Sequence, residues 1–295
     1  MTRAQLLLPC LLLLLAACGR DGHEASPLIG EIRSLHVEEP LRALDIAQRY
    51  AVSIAELARA NPEVAALRAG RVEAGTRLIV PTRFVLPEGP REGIVVNVAE
   101  MRLYYFEDGL RPKVLTFPAA VGREEWETPI GQTQVAEKIV EPKWYPPDSI
   151  RREAAAEGKK LPQVVPPGPD NPLGKFALRL GWSKHMIHGT NQPNSIGRPV
   201  THGCIRLYSA DMQELFERAQ VGTPVTLVDQ PFKLGEADGV LYLETHPDGS
   251  GAGDPQAVRA RIERWLAAAD DRRVDDELVE RALRMPTEMP VKVSL

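Results

Sequence analysis

Short runs of β-branched and aromatic residues, broken by turn signals, dominate the middle of this chain. Ile94–Val98 and Arg102–Phe106 flank a tight Ala99-Glu100-Met101 connection, the pattern of a hairpin. Further strands are predicted at Val114–Val121, Gln132–Val140, Phe176–Leu180, Met186–His188 and Val225–Val228. The clearest helical spacing is at Ser209–Ala219, where Met212, Leu215, Phe216 and Ala219 share a face. Residues 93–229 thus read as a mostly β domain with few helices. Residues Trp144–Gly174 interrupt the pattern with prolines and charges and read as a long loop. Trp144 and Tyr145 beside it are candidates for lining a peptide groove, the alternative being packing of a stiff loop on the sheet.

The pattern changes on both sides of this domain. Upstream, Ala43, Ile46, Ala47 and Tyr50 recur at helical spacing. Ser53 with Glu56 then forms a capping box before a second short helix that Asn61-Pro62 stops. Leu78–Pro81 reads as a closing strand, so residues 35–82 form a small α+β module. Asp21–Ser34 is polar and irregular, and residues 18–34 read as a tether. Pro81–Glu92 holds three prolines and reads as a linker. Downstream, residues 230–295 form an α/β extension, with a strand at Gly239–Glu244 and helices at Pro255–Ala269 and Asp276–Leu283. Nothing in it carries chemistry, and it is expected to act as a structural cap.

The first residues have their own pattern. Arg3 precedes an apolar run, Leu6–Ala17, which is too short for a spanning helix of about 20 residues. Residues 1–17 therefore read as an export signal. The run closes on Ala16-Ala17-Cys18-Gly19, which resembles a bacterial lipobox and makes Cys18 the lipidated N-terminus; an ordinary cleavable signal is the alternative. With Gly19 after it, the sorting rule of Gram-negative lipoproteins sends such a chain to the outer membrane. The expected place is the periplasm or cell envelope, with the membrane reached through the anchor. A net charge of −4 leaves no basic stripe for nucleic acid.

The cysteine count now gains meaning. Of three cysteines, Cys10 leaves with the signal and Cys18 is taken by lipid, so Cys204 is the one free thiol of the mature chain. It sits in Thr201-His202-Gly203-Cys204-Ile205-Arg206-Leu207, downstream of Met186-Ile187-His188-Gly189-Thr190. A thiol becomes a good nucleophile beside an imidazole base. His188, at a strand end, can take that part, with its ring oriented by a carbonyl such as that of Gly189. His202 is the competitor, and spacing alone does not separate them. Gly203 permits close backbone approach, so the N–H groups of His202, Gly203 and Cys204 can converge on an oxyanion. Arg206, Thr190 and Thr201 are candidate substrate contacts; a structural ion pair is the other reading of Arg206. A zinc site built from His185, His188, His202 and Cys204 is a further reading, although the paired spacing of structural zinc sites and a His-Glu-x-x-His helix are both missing.

The extended pattern is specific. Ile187-His188-Gly189-Thr190-Asn191, followed by Ile196-Gly197 and Val200-Thr201-His202-Gly203-Cys204-Ile205-Arg206-Leu207, resembles the signature of the L,D-transpeptidase catalytic domain of the YkuD type. Thr128-Pro129-Ile130-Gly131 and Asn171-Pro172-Leu173-Gly174 belong to the same likeness, which runs from about Gly93 to Asp229. Thr201 stands where Ser is commoner. The subgroup it resembles joins peptidoglycan stems or attaches the major outer-membrane lipoprotein to them. The resemblance implies a β-sandwich, with Cys204 as nucleophile, His188 as base and Gly189 orienting His188 through its carbonyl. It implies tetrapeptide stems of peptidoglycan as acyl donors, with D-alanine released. The acceptor is an amine of another stem or of a lipoprotein, or water, and neither metal nor cofactor is needed; a non-catalytic peptidoglycan-binding lipoprotein is the other reading, against which the intact Cys204 and His188 argue. The upstream module resembles a LysM domain, which binds the glycan of peptidoglycan. Glu38-Glu39-Pro40-Leu41 stands where that family carries Gly-Asp-Thr-Leu, so the loop that helps form the sugar groove is altered.

Overall fold

The computed structural model of the chain describes residues 26–109, 113–182, 184–247 and 250–295. The expected export signal, Cys18 and the first part of the expected tether lie outside the described residues. Among the described residues no helix is long and apolar enough to cross a membrane.

The central domain is built on nine strands. Their order is Pro199–Thr201, Val114–Gly122, Ile205–Leu207, Met186–His188, Phe176–Leu180, Gly131–Val140, Pro224–Val228, Gly93–Asn97 and Arg102–Phe106. Val114–Gly122 also pairs with Arg102–Phe106, so the sheet closes on itself like a barrel. The hairpin at Ala99-Glu100-Met101 forms as its sequence dictates, with Ile94 opposite Tyr105 and Val96 opposite Leu103. Strand alternation sends Ile94, Val96, Leu103, Phe117, Ile187, Ile205 and Leu207 to one core, which Met212 and Leu215 of the helix Ser209–Arg218 cover. Val95, Tyr104 and Phe106 point the other way, onto Phe84 and Leu86.

Three stretches differ from the sequence reading. Residues of the expected tether form a strand, Ser26–His36, which pairs antiparallel with Arg77–Val85 from Leu28 to His36. Its middle is exposed, so its shape comes from backbone pairing and leaves no apolar alternation to read. The expected linker is shorter than read, because the strand Arg77–Val85 runs through Pro81. It lies at the edge of its sheet, where a residue without an N–H is tolerated. The interrupting segment is also more than a loop. It contains the helix Asp148–Ala156, and Trp144 forms a bridge with Val165.

Both flanking parts dock on the central domain through buried charge. The upstream module keeps its own core around Ile46, Leu57, Leu67 and Val80, and the Ser53–Glu56 capping box is present. From the central hairpin, fully buried Arg102 reaches into it. Arg102 donates to the Ala51 carbonyl at 3.2 and 3.3 Å and to Glu56 at 2.5 Å, and lies over the Phe84 ring. Burial opposes charge on Glu56, yet the Arg102 guanidinium outweighs it and holds the carboxyl below its usual range.

The downstream extension adds the hairpin Phe232–Ala237 and Val240–Thr245 to a five-stranded sheet that also takes in Ser26–His36 and Arg77–Val85. The helices Pro255–Ala267 and Asp276–Arg284 pack on it through Ile262, Trp265 and Val279. Each such side chain contributes about 1.5–3 kcal/mol by burial. Buried Lys233 sits between Glu100 and Glu244 at 2.8 and 2.9 Å, and His246 lies 2.8 Å from Glu244. Among the described residues, Glu100, Glu244 and His246 form the one group close enough to share a metal ion, but the Lys233 ammonium stands between these carboxylates as their cation. Burial disfavours the Glu244 carboxylate, while Lys233 and His246 prevail and hold it at about 2.

Candidate active site

The strand Met186–His188 pairs in parallel with Ile205–Leu207, Ile187 against Ile205 and His188 against Arg206. Ile187 and Ile205 face the core, so alternation turns His188 and Arg206 to the opposite side. Cys204, one residue before Ile205, opens on that side too. All three line one cleft of about 450 Å³, with Trp126, Trp144, Ile150 and Leu173 among its walls.

His188 is buried, and its Nδ1 lies 2.6 Å from the Gly189 carbonyl. A carbonyl only accepts, so Nδ1 carries the proton and Nε2 is left with its lone pair. Burial, and next the charge of Arg206, lower the imidazole from 6.5 to about 4, against the bond to Gly189. It is therefore neutral at neutral pH. Cys204 is half-buried, with Sγ 3.9 Å from the Lys184 carbonyl. Burial pushes its thiol up, while the backbone at Met186 and the Arg206 charge hold it back. Burial thus disfavours charge on both groups.

The loop before the thiol is fixed through its carbonyls. The Thr201 hydroxyl donates to the Cys204 carbonyl at 2.6 Å, and the Thr128 hydroxyl to the Gly203 carbonyl at 3.2 Å. Gly203 has a φ of +94°, and a Cβ there would meet His185 Nε2 at 3.1 Å and the Glu127 carbonyl at 3.2 Å. Only glycine fits this turn without strain. Among the described residues, the N–H groups of His202, Gly203 and Cys204 donate to no carbonyl, which leaves them free for an anionic oxygen.

The other sequence candidates divide. His202 packs at a tilt against the Trp126 ring, and its Nε2 lies 3.1 Å from Glu153 and 3.3 Å from Arg123. It is tied to the helix Asp148–Ala156 rather than free to serve the thiol. Arg206 and Trp144 line the cleft, whereas Tyr145 is 66% exposed and lies outside it. Thr190 sits apart from this cleft. It is buried, accepts from the Gln192 N–H at 2.9 Å, and lines a neighbouring cavity of about 320 Å³ with Asn171 and Lys175. The imidazoles and thiol of the zinc reading form no metal-sized cluster among the described residues. Sequence reasoning missed Trp126, Asp148, Arg152, Glu153 and Lys184. Most of these sit on the unexpected helix, for which no apolar periodicity gives a signal.

Comparison with known proteins decides the family. Residues 91–227 match the family model described as the L,D-transpeptidase catalytic domain. The chain is 38% identical over 284 residues to a probable L,D-transpeptidase, ErfK/SrfK, of Salmonella typhimurium, covering 92% of this chain and 89% of that one. The chain belongs to the L,D-transpeptidase family. The probable L,D-transpeptidase YbiS of Escherichia coli strain K12 is 39% identical over 229 residues, 76% of this chain and 72% of its own. The solved catalytic domain of an Enterococcus faecium L,D-transpeptidase is 24% identical, with a TM-score of 0.36 over 48% of this chain and 99% of that one. The ErfK/SrfK match reaches beyond the catalytic domain, so the parts flanking it in this L,D-transpeptidase are shared with that relative.

Proposed function

We propose that this L,D-transpeptidase works through a cysteine acyl-enzyme on the tetrapeptide stems of peptidoglycan. The observation that carries the reading is the His188 ring, held at Nδ1 by the Gly189 carbonyl and lining the same cleft as Cys204. Nε2 takes the thiol proton as Sγ attacks the carbonyl of the third stem residue. The new S–C bond forms a tetrahedral oxyanion facing the N–H groups of His202, Gly203 and Cys204. The C–N bond to D-alanine then breaks, and the His188 proton goes to the leaving amine. An acceptor amine from another stem or from a lipoprotein attacks the thioester, gives its proton to His188, and frees the thiolate. The thiolate then recovers a proton from His188.

The rest of the chain fits a place in the cell envelope. Leu6–Ala17 and Cys18 support export and lipid anchoring, with Gly19 favouring the outer membrane. The helix–helix–strand order and capping box of the upstream module support a LysM-like glycan binder.

The test is incubation of the mature protein with disaccharide-tetrapeptide, followed by mass spectrometry. Cross-linked dimer with loss of D-alanine is expected, and Cys204→Ala is expected to give none. Tripeptide alone would make water the acceptor. Equal product from Cys204→Ala would overturn the acyl-enzyme.

A further inference from the structure

The helix Asp148–Ala156 forms one wall of the cleft, and its side chains fall into two groups. One group anchors it. Arg151 donates to the carbonyls of Pro146 and Gln163 at 3.1 and 3.0 Å, and Glu153 pairs with His202 and Arg123. The other group, Asp148 and Arg152, lies one turn apart on the same face and lines the cleft with Cys204 and His188. These two carry opposite charges and are exposed, yet among the described residues neither makes an ion pair or a side-chain hydrogen bond, even with the other.

Solvated charges on a helix are commonplace, but this pair differs in place. It stands beside Trp126, Trp144, Ile150, Pro172 and Leu173 in a cleft that also holds the thiol. Apolar walls lower the local dielectric, so an incoming charge is felt more strongly than on an open face. The helix is pinned at both Arg151 and Glu153, so the backbone positions from which the two charges reach out are held in place. Lys184 also lines the cleft, but its carbonyl lies against Cys204 Sγ, beside the reacting atoms rather than on the helix.

We infer that Asp148 and Arg152 read an amino-acid head, an ammonium and a carboxylate on one carbon, at the end of the side chain of the donor stem's third residue. Asp148 takes the ammonium and Arg152 the carboxylate, the latter in the forked geometry a guanidinium offers. The inference rests on the proposed function, since it assumes a stem bound with its third residue at Cys204. Diaminopimelate carries such a head, lysine the ammonium alone, and 2-aminopimelate the carboxylate alone.

Three synthetic tetrapeptide stems that differ only in that residue test it, with D-alanine release by the full mature protein as readout. The measured quantity is the ratio of kcat/KM between stems within one variant, in which a general loss of activity cancels. Wild type is expected to favour diaminopimelate over each single-charge stem by about tenfold or more, the scale set by an unmatched polar partner. Arg152→Gln is expected to bring the diaminopimelate-to-lysine ratio close to one and to spare the ratio to 2-aminopimelate. Asp148→Asn is expected to do the reverse. Ratios unchanged in both variants, or no preference in wild type, overturn the inference alone. No D-alanine release from any stem by wild type overturns the proposed function with it.

Discussion

Glu153 Oε2 lies 3.1 Å from His202 Nε2, which ties the helix in the interrupting segment to a residue two places before the thiol. The same carboxylate pairs with Arg123, so one side chain holds a cleft wall and the loop before Cys204 together. Glu153→Gln keeps the shape and removes the charge. It is expected to slow acylation of Cys204 by a carbapenem by about three- to tenfold, while the melting temperature stays close to that of wild type because the pair is partly exposed. Stopped-flow acylation and thermal melting separate the two effects. An unchanged acylation rate would show that the tie is structural only.

In the proposed mechanism, the titration of His188 sets the acid side of the reaction. Burial and Arg206 leave the imidazole neutral down to about pH 4, so the base stays competent well below its ordinary 6.5. The acid limb of carbapenem acylation is expected near pH 4. In Arg206→Gln the second of the two lowering causes is gone, and the limb is expected to move up. Removing that charge also raises the thiol further, so alkylation by iodoacetamide should need a more alkaline pH than in wild type. A limb near 6.5 in the wild type would contradict the buried, neutral imidazole.

Asp211, in the first turn of the helix Ser209–Arg218, is a buried carboxyl with one oxygen unpartnered among the described residues. Burial raises it from 3.8 to about 7, with Arg102 opposing and Glu214 adding. The folded state therefore holds a proton that the unfolded chain has released. Below 3.8 both states are protonated and nothing is lost; as pH rises from there through about 7, stability falls. Asp211→Asn removes the cost. A gain of about 1–3 kcal/mol is expected near pH 8, tempered by the helix N-terminus that favours the anion, and almost none near pH 4. Urea melts at the two pH values check the sign.

Breaking the upstream docking should cost more than any surface change. Glu56→Ala leaves the Arg102 guanidinium buried without its carboxylate and also removes half of the capping box. A loss of about 3–5 kcal/mol is expected, in the range of an abandoned buried charge. Denaturant melts of the full chain measure it. A loss under about 1 kcal/mol would mean that water reaches Arg102.

What could be read from the sequence follows the physics of each element. Strands such as Gly93–Asn97 and Phe176–Leu180 bury β-branched and apolar side chains, so composition marks them. The thiol, the strand-end imidazole and the glycine turn at Gly203 stand out in the sequence because acyl-transfer chemistry calls for those residue types, and the structure sets Cys204 and His188 on one cleft. The strand Ser26–His36 was not, because pairing rather than burial shapes its exposed middle. The helix Asp148–Ala156 has no buried residue at all, so no apolar stripe announces it between prolines. The same absence hid Asp148, Arg152 and Glu153. Thr190 directly follows the strand Met186–His188 and Gly189, which suggests a substrate contact, and the structure places it on the neighbouring cavity.

The docking of the upstream module bears on how the catalytic domain can be isolated. A Cβ on Gly197, within the segment that ends at Cys204, would come 2.3 Å from Ser53 Oγ, and Leu44 covers Ile196 beside it. A fragment cut at Gly93 would strip that cover and orphan Arg102 on the hairpin that starts the barrel. Inactivity of such a fragment would then report a damaged scaffold, and would say nothing about whether the missing residues grip a glycan. The informative dissection keeps every residue and edits the module's exposed loop around Glu38, Glu39 and Pro40, away from Ser53 and Glu56.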